Sequence, residues 1–133
     1  MKIVLLERAA VGKDVDISML EKLGEVVSYD QTLPEEVPER VKDAEVVVIN
    51  RLAMNEKSIG AAKNLRQIAI TATGTNMIDW DYVNARGIKG SNVKGYSTNA
   101  VAQHTFALVL ALIHKICYYD HFVKSGAYCS QEG

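Results

Sequence analysis

The sequence predicts a doubly wound α/β domain, in which helices cover both faces of a five-stranded parallel sheet, followed by one long C-terminal helix. Short runs rich in Val and Ile alternate along the chain with segments of helical spacing, which is typical of strand–helix–strand units. Several of these runs are apolar throughout, as expected of strands that are buried on both faces. We expect right-handed crossovers and the strand order 2-1-3-4-5.

Five segments are the candidate strands. Glu45–Asn50 contains four consecutive β-branched residues, which disfavour a helix and favour a strand. Lys2–Glu7 is a short apolar run bounded by charged residues, as in a strand buried within a sheet. The other three predicted strands are Glu25–Tyr29, Gln67–Ala72 and Ile88–Asn92.

Capping residues and glycines mark the helices between these strands. The predicted helices are Asp16–Leu23, Pro34–Asp43, Asn55–Lys63 and Trp80–Arg86. Asn55 and Asp79 are candidate N-caps, because their side chains can accept hydrogen bonds from the first helical turn. Gly24 and Gly87 follow the first and the last of these helices, where a residue that tolerates a positive φ is favoured.

The segment from Thr98 to Lys124 is predicted to form a single helix, capped by Ser97 or Thr98. Its central run, FALVLALI, is apolar almost all the way round, so it has to be covered on every side. That run is about half as long as a bilayer span requires, and we expect no membrane partner. The predicted organisation is a domain over residues 1–97, a helix over residues 98–124 and a short tail over residues 125–133.

Composition excludes several classes of protein. The 15 basic and 16 acidic residues give a net charge of −1, which argues against a nucleic-acid partner. Cys117 and Cys129 form neither a disulfide framework nor a CxxC zinc pattern. The N-terminal apolar run is too short for a signal peptide. We therefore expect a cytoplasmic protein with free thiols.

Other chemistry has weaker support in the sequence. His114, Cys117 and His121 fall within about 60° of one another on a helical wheel, but they supply only three zinc ligands, and we expect no metal site. Glu7 and Asp120 could suggest acid–base chemistry, but the sequence identifies no carboxylate or histidine as the partner of either side chain.

A signalling receiver domain is a binding module of the same predicted shape. It requires an Asp after the third strand, where this chain has Asn50 and Arg51, so the sequence disfavours that interpretation. A non-enzymatic binding or self-association module with an α/β fold stays open as an alternative.

Four segments together resemble the N-terminal part of the D-isomer-specific 2-hydroxyacid dehydrogenase family. They are TATGTNMID, NARGI, NVKGYSTNAVAQHTFAL and YYDHFVKSGAY, in that order. The resemblance covers the chain up to about Tyr128 and is strongest to the glycerate dehydrogenase and hydroxypyruvate reductase members. It implies a flavodoxin-like substrate domain, a separate Rossmann domain that binds NAD, and hydride transfer between NAD(H) and a small 2-hydroxy or 2-keto acid.

The resemblance also implies roles for five residues. Thr73 and Gly74 match the loop whose backbone N–H groups bind the substrate carboxylate beside the nicotinamide, where a glycine permits close approach. Tyr96 matches a position facing the substrate, and Arg51 matches one that holds the distal end of the substrate. Val101 matches a position against the nicotinamide. The alternatives are a turn glycine, a hinge tyrosine, a solvated arginine and a core valine.

The family's GxGxxG fingerprint and its catalytic Arg, Glu and His have no counterpart in these 133 residues. We therefore expect no catalytic residue, no NAD bound by this chain alone and no turnover. In the family the long helix packs against the NAD domain. For this chain we expect instead a homodimer formed through residues 98–124, because one apolar patch can cover its twin.

Overall fold

The computed structural model describes residues 1–12 and 14–130. The chain forms two compact units, Met1–Lys94 and Gly95–Gly133. The boundary lies slightly before the predicted one at residues 97 and 98. The predicted tail over residues 125–133 extends past Ser130, so its last residues lie outside the described part of the chain.

The first unit is built on a five-stranded parallel sheet in the order β2-β1-β3-β4-β5, which confirms the predicted fold. The strands are β1 Lys2–Leu5, β2 Glu25–Ser28, β3 Val46–Ile49, β4 Gln67–Ile70 and β5 Lys89–Asn92. In the centre, Val47 is paired with Val4 of β1 on one side and with Ile68 of β4 on the other.

Short helices connect the strands. They are α1 Arg8–Val11, α2 Ser18–Glu21, α3 Val37–Val41 preceded by a 3-10 turn at Pro34–Glu36, α4 Glu56–Ile59 and α5 Trp80–Ala85. The predicted caps are confirmed: the Asn55 side chain accepts hydrogen bonds from the N–H groups of Lys57 and Ser58, and the Asp79 side chain accepts one from Tyr82. Helix α1 had no sequence prediction.

The core lies on both faces of the sheet, because alternate strand residues point to opposite sides. Val4 and Leu6 belong to the larger apolar cluster, whereas Ile3 and Leu5 belong to a smaller one on the other face. This arrangement explains why the β1 segment is apolar throughout.

One glycine prediction is wrong. Gly24 does not have a positive φ, because α2 ends earlier, at Glu21. A Cβ at Gly24 would instead lie 2.0 Å from the carbonyl oxygen of Met1, so the position requires glycine for close packing of the backbone. Gly87 has φ 67° after α5, as predicted.

The second unit contains two helices, α6 Thr98–Ile113 and α7 Ile116–Lys124, bent by 56°. The single helix predicted over residues 98–124 is corrected accordingly. Lys115 adopts a left-handed conformation with φ 50°, and its N–H donates to the carbonyl of Leu112 at 3.2 Å. This bond spans three residues rather than four, so the regular helical ladder stops there.

No single described helix is both long and apolar enough to cross a membrane. Helices α6 and α7 satisfy the length and composition criteria only as a bent pair. Ser97 occupies the N-cap position of α6, but its side chain makes no capping hydrogen bond.

Candidate functional site

The candidate site lies at the carboxyl edge of the sheet, defined here as the edge at which the parallel strands end. The loops after β3 and β4 are joined there through Met54. The Met54 N–H donates to the carbonyl of Met77 at 3.0 Å, and the Asp79 N–H donates to the carbonyl of Met54 at 2.9 Å. Because Met54 is fully buried, the core holds both loops from behind.

In the loop after β4, the backbone N–H groups of residues 72–77 have no hydrogen-bond acceptor among the described residues. The hydrogen bond from Asn92 Nδ2 to the Thr73 carbonyl, 2.7 Å long, fixes the start of this loop. The Ile78 N–H donates to the Thr75 carbonyl at 3.1 Å and fixes its end. Within the described residues of the first unit, no acceptor pairs with the N–H groups of Thr73, Gly74 and Thr75. Adjacent unpaired N–H groups of this kind attract an anion.

Gly74 is not required by the turn in which it lies. Its φ is not in the left-handed region. A Cβ built on Gly74 would meet only Asn76 Oδ1, at 3.4 Å, which is close to an ordinary van der Waals distance. Neither backbone conformation nor internal packing therefore explains a glycine at this position, whereas close approach of a ligand to the backbone would.

Arg51 follows β3 on the same edge and has an exposed side chain. Its guanidinium makes no hydrogen bond or ion pair with any other described residue. It lines a groove of about 420 Å³ together with Glu7 and residues 30–32. An uncompensated guanidinium at the rim of such a groove can bind a second anionic or polar group.

The Glu7 carboxylate accepts three backbone hydrogen bonds that the sequence did not predict. Its Oε2 atom accepts hydrogen bonds from the N–H groups of Asn50, Arg51 and Leu52, at 2.6, 2.8 and 3.2 Å respectively. These partners are 43 to 45 positions away along the chain, and only the pairing of β1 with β3 brings them together. The Glu7 carboxylate is therefore occupied by backbone N–H groups.

Two further polar side chains form hydrogen bonds at this edge, and no sequence motif predicted them. The Asn50 Nδ2 atom donates to Thr71 Oγ1 at 3.0 Å. The Thr71 hydroxyl in turn donates to the carbonyl of Ile49 at 3.1 Å. The exits of β3 and β4 are thus linked by side chains as well as by backbone.

Tyr96 and Val101 belong to the second unit, whereas Arg51, Thr73 and Gly74 belong to the first. Their side chains are 66% and 60% exposed. Val101 is therefore not a core residue of this unit, and its N–H makes the hydrogen bond to the carbonyl of Ser97 at 2.8 Å. The roles of both residues in binding remain predictions.

The remaining charged candidates lie elsewhere or are paired. Asp120 forms an ion pair with Lys124 at 2.8 Å. In the described part of the chain, no three His, Cys, Asp or Glu side chains are close enough to hold a metal ion. The pKa of Asp16 is lowered by hydrogen bonds from the backbone and the side chain of Ser18, on α2 and not at the candidate site.

Known proteins match this chain over nearly its whole length. Residues 3–129 match the family model described as the catalytic domain of the D-isomer specific 2-hydroxyacid dehydrogenases. The chain is 34% identical over 130 residues to a hydroxypyruvate reductase of Blautia hydrogenotrophica, which covers 95% of this chain and 40% of that protein. It is 32% identical over 126 residues to a glycerate dehydrogenase of Methylorubrum extorquens, covering 94% and 40% respectively.

The fold also matches solved structures. The D-lactate dehydrogenase of Aquifex aeolicus, crystallised with NAD and lactic acid, aligns with a TM-score of 0.76 at 23% identity. That alignment covers 100% of this chain and 39% of the other. The chain therefore spans about 40% of the length of each of these three relatives.

Proposed function

This chain belongs to the D-isomer-specific 2-hydroxyacid dehydrogenase family, and from that premise we propose that it supplies the substrate-carboxylate site of an NAD-dependent oxidoreductase. The substrate is a small 2-hydroxy or 2-keto acid. The observation that carries the proposal is the loop after β4, where the N–H groups of Thr73, Gly74 and Thr75 have no acceptor among the described residues of the first unit.

The chemistry of this loop suits a carboxylate. Each hydrogen bond from an N–H group to a charged oxygen contributes about 1.5–3 kcal/mol, and no side-chain charge has to be buried to provide it. The absence of a Cβ at Gly74 lets a planar carboxylate lie against the backbone. Arg51 holds the far end of a substrate that carries a second polar group there.

Tyr96 and Val101 keep the roles that family resemblance implies for them. Tyr96 contacts the substrate, and Val101 contacts the nicotinamide, as does Thr73. The reduced cofactor, NADH, would supply a hydride for the substrate carbon, and the reaction would also need a general acid to protonate the substrate oxygen. These 133 residues contain neither a GxGxxG fingerprint nor an identifiable general acid. We therefore expect the chain alone to bind the substrate without reducing it.

Calorimetric titration with oxalate, an unreactive planar dicarboxylate, tests the proposed site. We expect saturable binding by the wild-type chain. Gly74→Ala should lose about tenfold or more in affinity, because the methyl group occupies the position of the carboxylate. Arg51→Gln should weaken binding less, whereas Arg66→Gln, at the opposite edge of the sheet, should not weaken it. Absence of saturable binding by the wild type would contradict the proposal.

Turnover is a separate test. We expect no oxidation of NADH with glyoxylate, pyruvate or hydroxypyruvate by the purified chain. Saturable NADH oxidation that survives rigorous purification would show that the chain provides its own cofactor site and acid.

The second unit supports an additional proposal, self-association. No residue of α6 or α7 is buried, and the structure describes all of them. Leu112 is 80% exposed, and burial of such a side chain contributes about 1.5–3 kcal/mol. A soluble monomer rarely exposes so large an apolar patch. We propose a homodimer in which residues 98–124 of two copies pack together.

Light scattering on a sizing column tests the dimer at tens of micromolar protein. We expect Leu108→Lys and Leu112→Lys to yield monomers. Met19→Lys is the matched control, because Met19 is 71% exposed in the first unit, and it should leave the dimer intact. A monomeric wild-type chain would refute this proposal without affecting the carboxylate site.

A further inference from the structure

A set of polar side chains crosses the carboxyl edge from β1 to β5. We call Glu7, Asn50, Thr71 and Asn92 the carboxyl-edge relay. Glu7 binds the backbone after β3, and Asn50 binds the Thr71 side chain after β4. Asn92, the last residue of β5, binds the carbonyl of Thr73. The relay thus connects the exits of four strands.

The place at which Glu7 acts is the topological switch point of the sheet. From β1 the chain passes to β2 on one side, and β3 lies on the other. In open parallel sheets, ligands characteristically bind in the crevice at such a point. Here the three N–H groups of residues 50–52 converge on one atom, Oε2 of Glu7, so the chain's own carboxylate fills this anion site.

The loop at residues 73–75 differs in this respect. It offers the same kind of donor, but no carboxylate of the described first unit reaches it. Both donor groups lie on the same edge of the sheet, and an incoming carboxylate would have two places to bind if Glu7 were absent.

We propose that Glu7 is a positioning and selectivity residue for the substrate site, an inference that rests on the proposed function above. Its carboxylate occupies the N–H groups of residues 50–52, so that they cannot bind the substrate. The substrate carboxylate therefore binds at residues 73–75. Through Asn50 and Thr71, Glu7 also fixes the start of the 73–75 loop. Through its hydrogen bond with the Arg51 N–H, it fixes the backbone position from which the Arg51 side chain extends.

Residue-resolved amide NMR of the full chain during titration with oxalate tests this inference. In the wild type we expect large saturable shifts at residues 73–75. Residues 50–52 should show only the small shifts that contact of oxalate with the Arg51 side chain causes, with the same affinity. In Glu7→Ala, large shifts with a second affinity should appear at residues 50–52, and affinity at residues 73–75 should fall about tenfold. A residue that only stabilised the fold would not create a new anion site when removed.

Two controls separate charge from position. Glu21→Ala removes one exposed carboxylate on α2 and should behave as the wild type. Thr71→Val preserves shape but breaks the link from Asn50, so it should weaken binding at residues 73–75 without opening residues 50–52. If Glu7→Ala does not fold, Glu7→Gln carries the test, because its neutral oxygen is a weaker acceptor and should admit oxalate to residues 50–52 at higher concentration.

The outcomes are distinguishable. A wild-type chain with no response at residues 73–75 overturns the proposed function, and this inference with it. A wild-type response that Glu7→Ala reproduces within about twofold, with no second affinity at residues 50–52, overturns the role of Glu7 alone and leaves the carboxylate site in place.

Discussion

The two units of the chain differ in whether they bury their apolar side chains. In the described part of the chain, every buried hydrophobic residue lies between Ile3 and Ile88, within the first unit. Helices α6 and α7 bury none of their residues, although α6 contains the longest uninterrupted apolar run of the sequence. The first unit is therefore self-sufficient, whereas the second carries a surface suited to contact with another protein surface.

This difference matters for function because the proposed carboxylate site needs only the first unit. Thr73, Gly74 and Arg51 stand on loops that the core fixes through Met54. Tyr96 and Val101 stand on the unit that has no core of its own. We propose that the sheet holds a carboxylate in a fixed geometry while the helical unit packs against a second copy of the chain.

The largest expected effect is the difference in stability between two truncations, one of an apolar side chain in each unit. Ile68→Ala should lower the free energy of unfolding of the first unit by about 2–5 kcal/mol, because Ile68 is fully buried on the central sheet. Leu112→Ala should change that quantity by less than about 0.5 kcal/mol. Urea denaturation followed by fluorescence of Trp80, the single tryptophan, measures both. Equal losses would contradict the self-sufficiency of the first unit.

A second comparison uses two glycines of the first unit. A Cβ at Gly90 would lie 2.5 Å from the Trp80 ring, so Gly90→Ala should destabilise the unit by about 1–3 kcal/mol and change the Trp80 emission. Gly74→Ala should be neutral or slightly stabilising, by up to about 1 kcal/mol, since its backbone accepts a side chain. Marked destabilisation by Gly74→Ala would return Gly74 to a purely structural role.

The smallest expected effect concerns helix caps. Asn55→Ala should cost about 1 kcal/mol, because the Asn55 side chain accepts two backbone hydrogen bonds at the start of α4. Ser97→Ala should have no measurable effect, since Ser97 makes no capping bond at α6. Thermal melts of the two variants distinguish them. A comparable loss in Ser97→Ala would mean that α6 is capped in solution.

The sheet could be predicted because its signals are local. Four β-branched residues specify β3, and the Asn55 and Asp79 caps mark α4 and α5 without reference to distant residues. The bend at Lys115 could not be predicted, because lysine has no particular preference for the left-handed region. The polar partners of Glu7 could not be predicted either, since they depend on which strands become neighbours.

The candidate site was only partly visible in the sequence. Thr73 and Gly74 were indicated by family resemblance, and a glycine after a strand fits a ligand-binding loop. The fold itself does not require a glycine at position 74. This conclusion rests on the φ of Gly74 and on the atoms around it, which a sequence does not reveal. The donors left unpaired around it depend on the whole hydrogen-bond pattern of the carboxyl edge.

The most direct test of the central claim is a residue-by-residue amide map of the chain at saturating oxalate. We expect saturable shifts with a single affinity at residues 73–75, and unshifted amides throughout α6 and α7. Saturable shifts confined to residues 95–130, or none at residues 73–75, would contradict the assignment of the substrate-carboxylate site to the first unit.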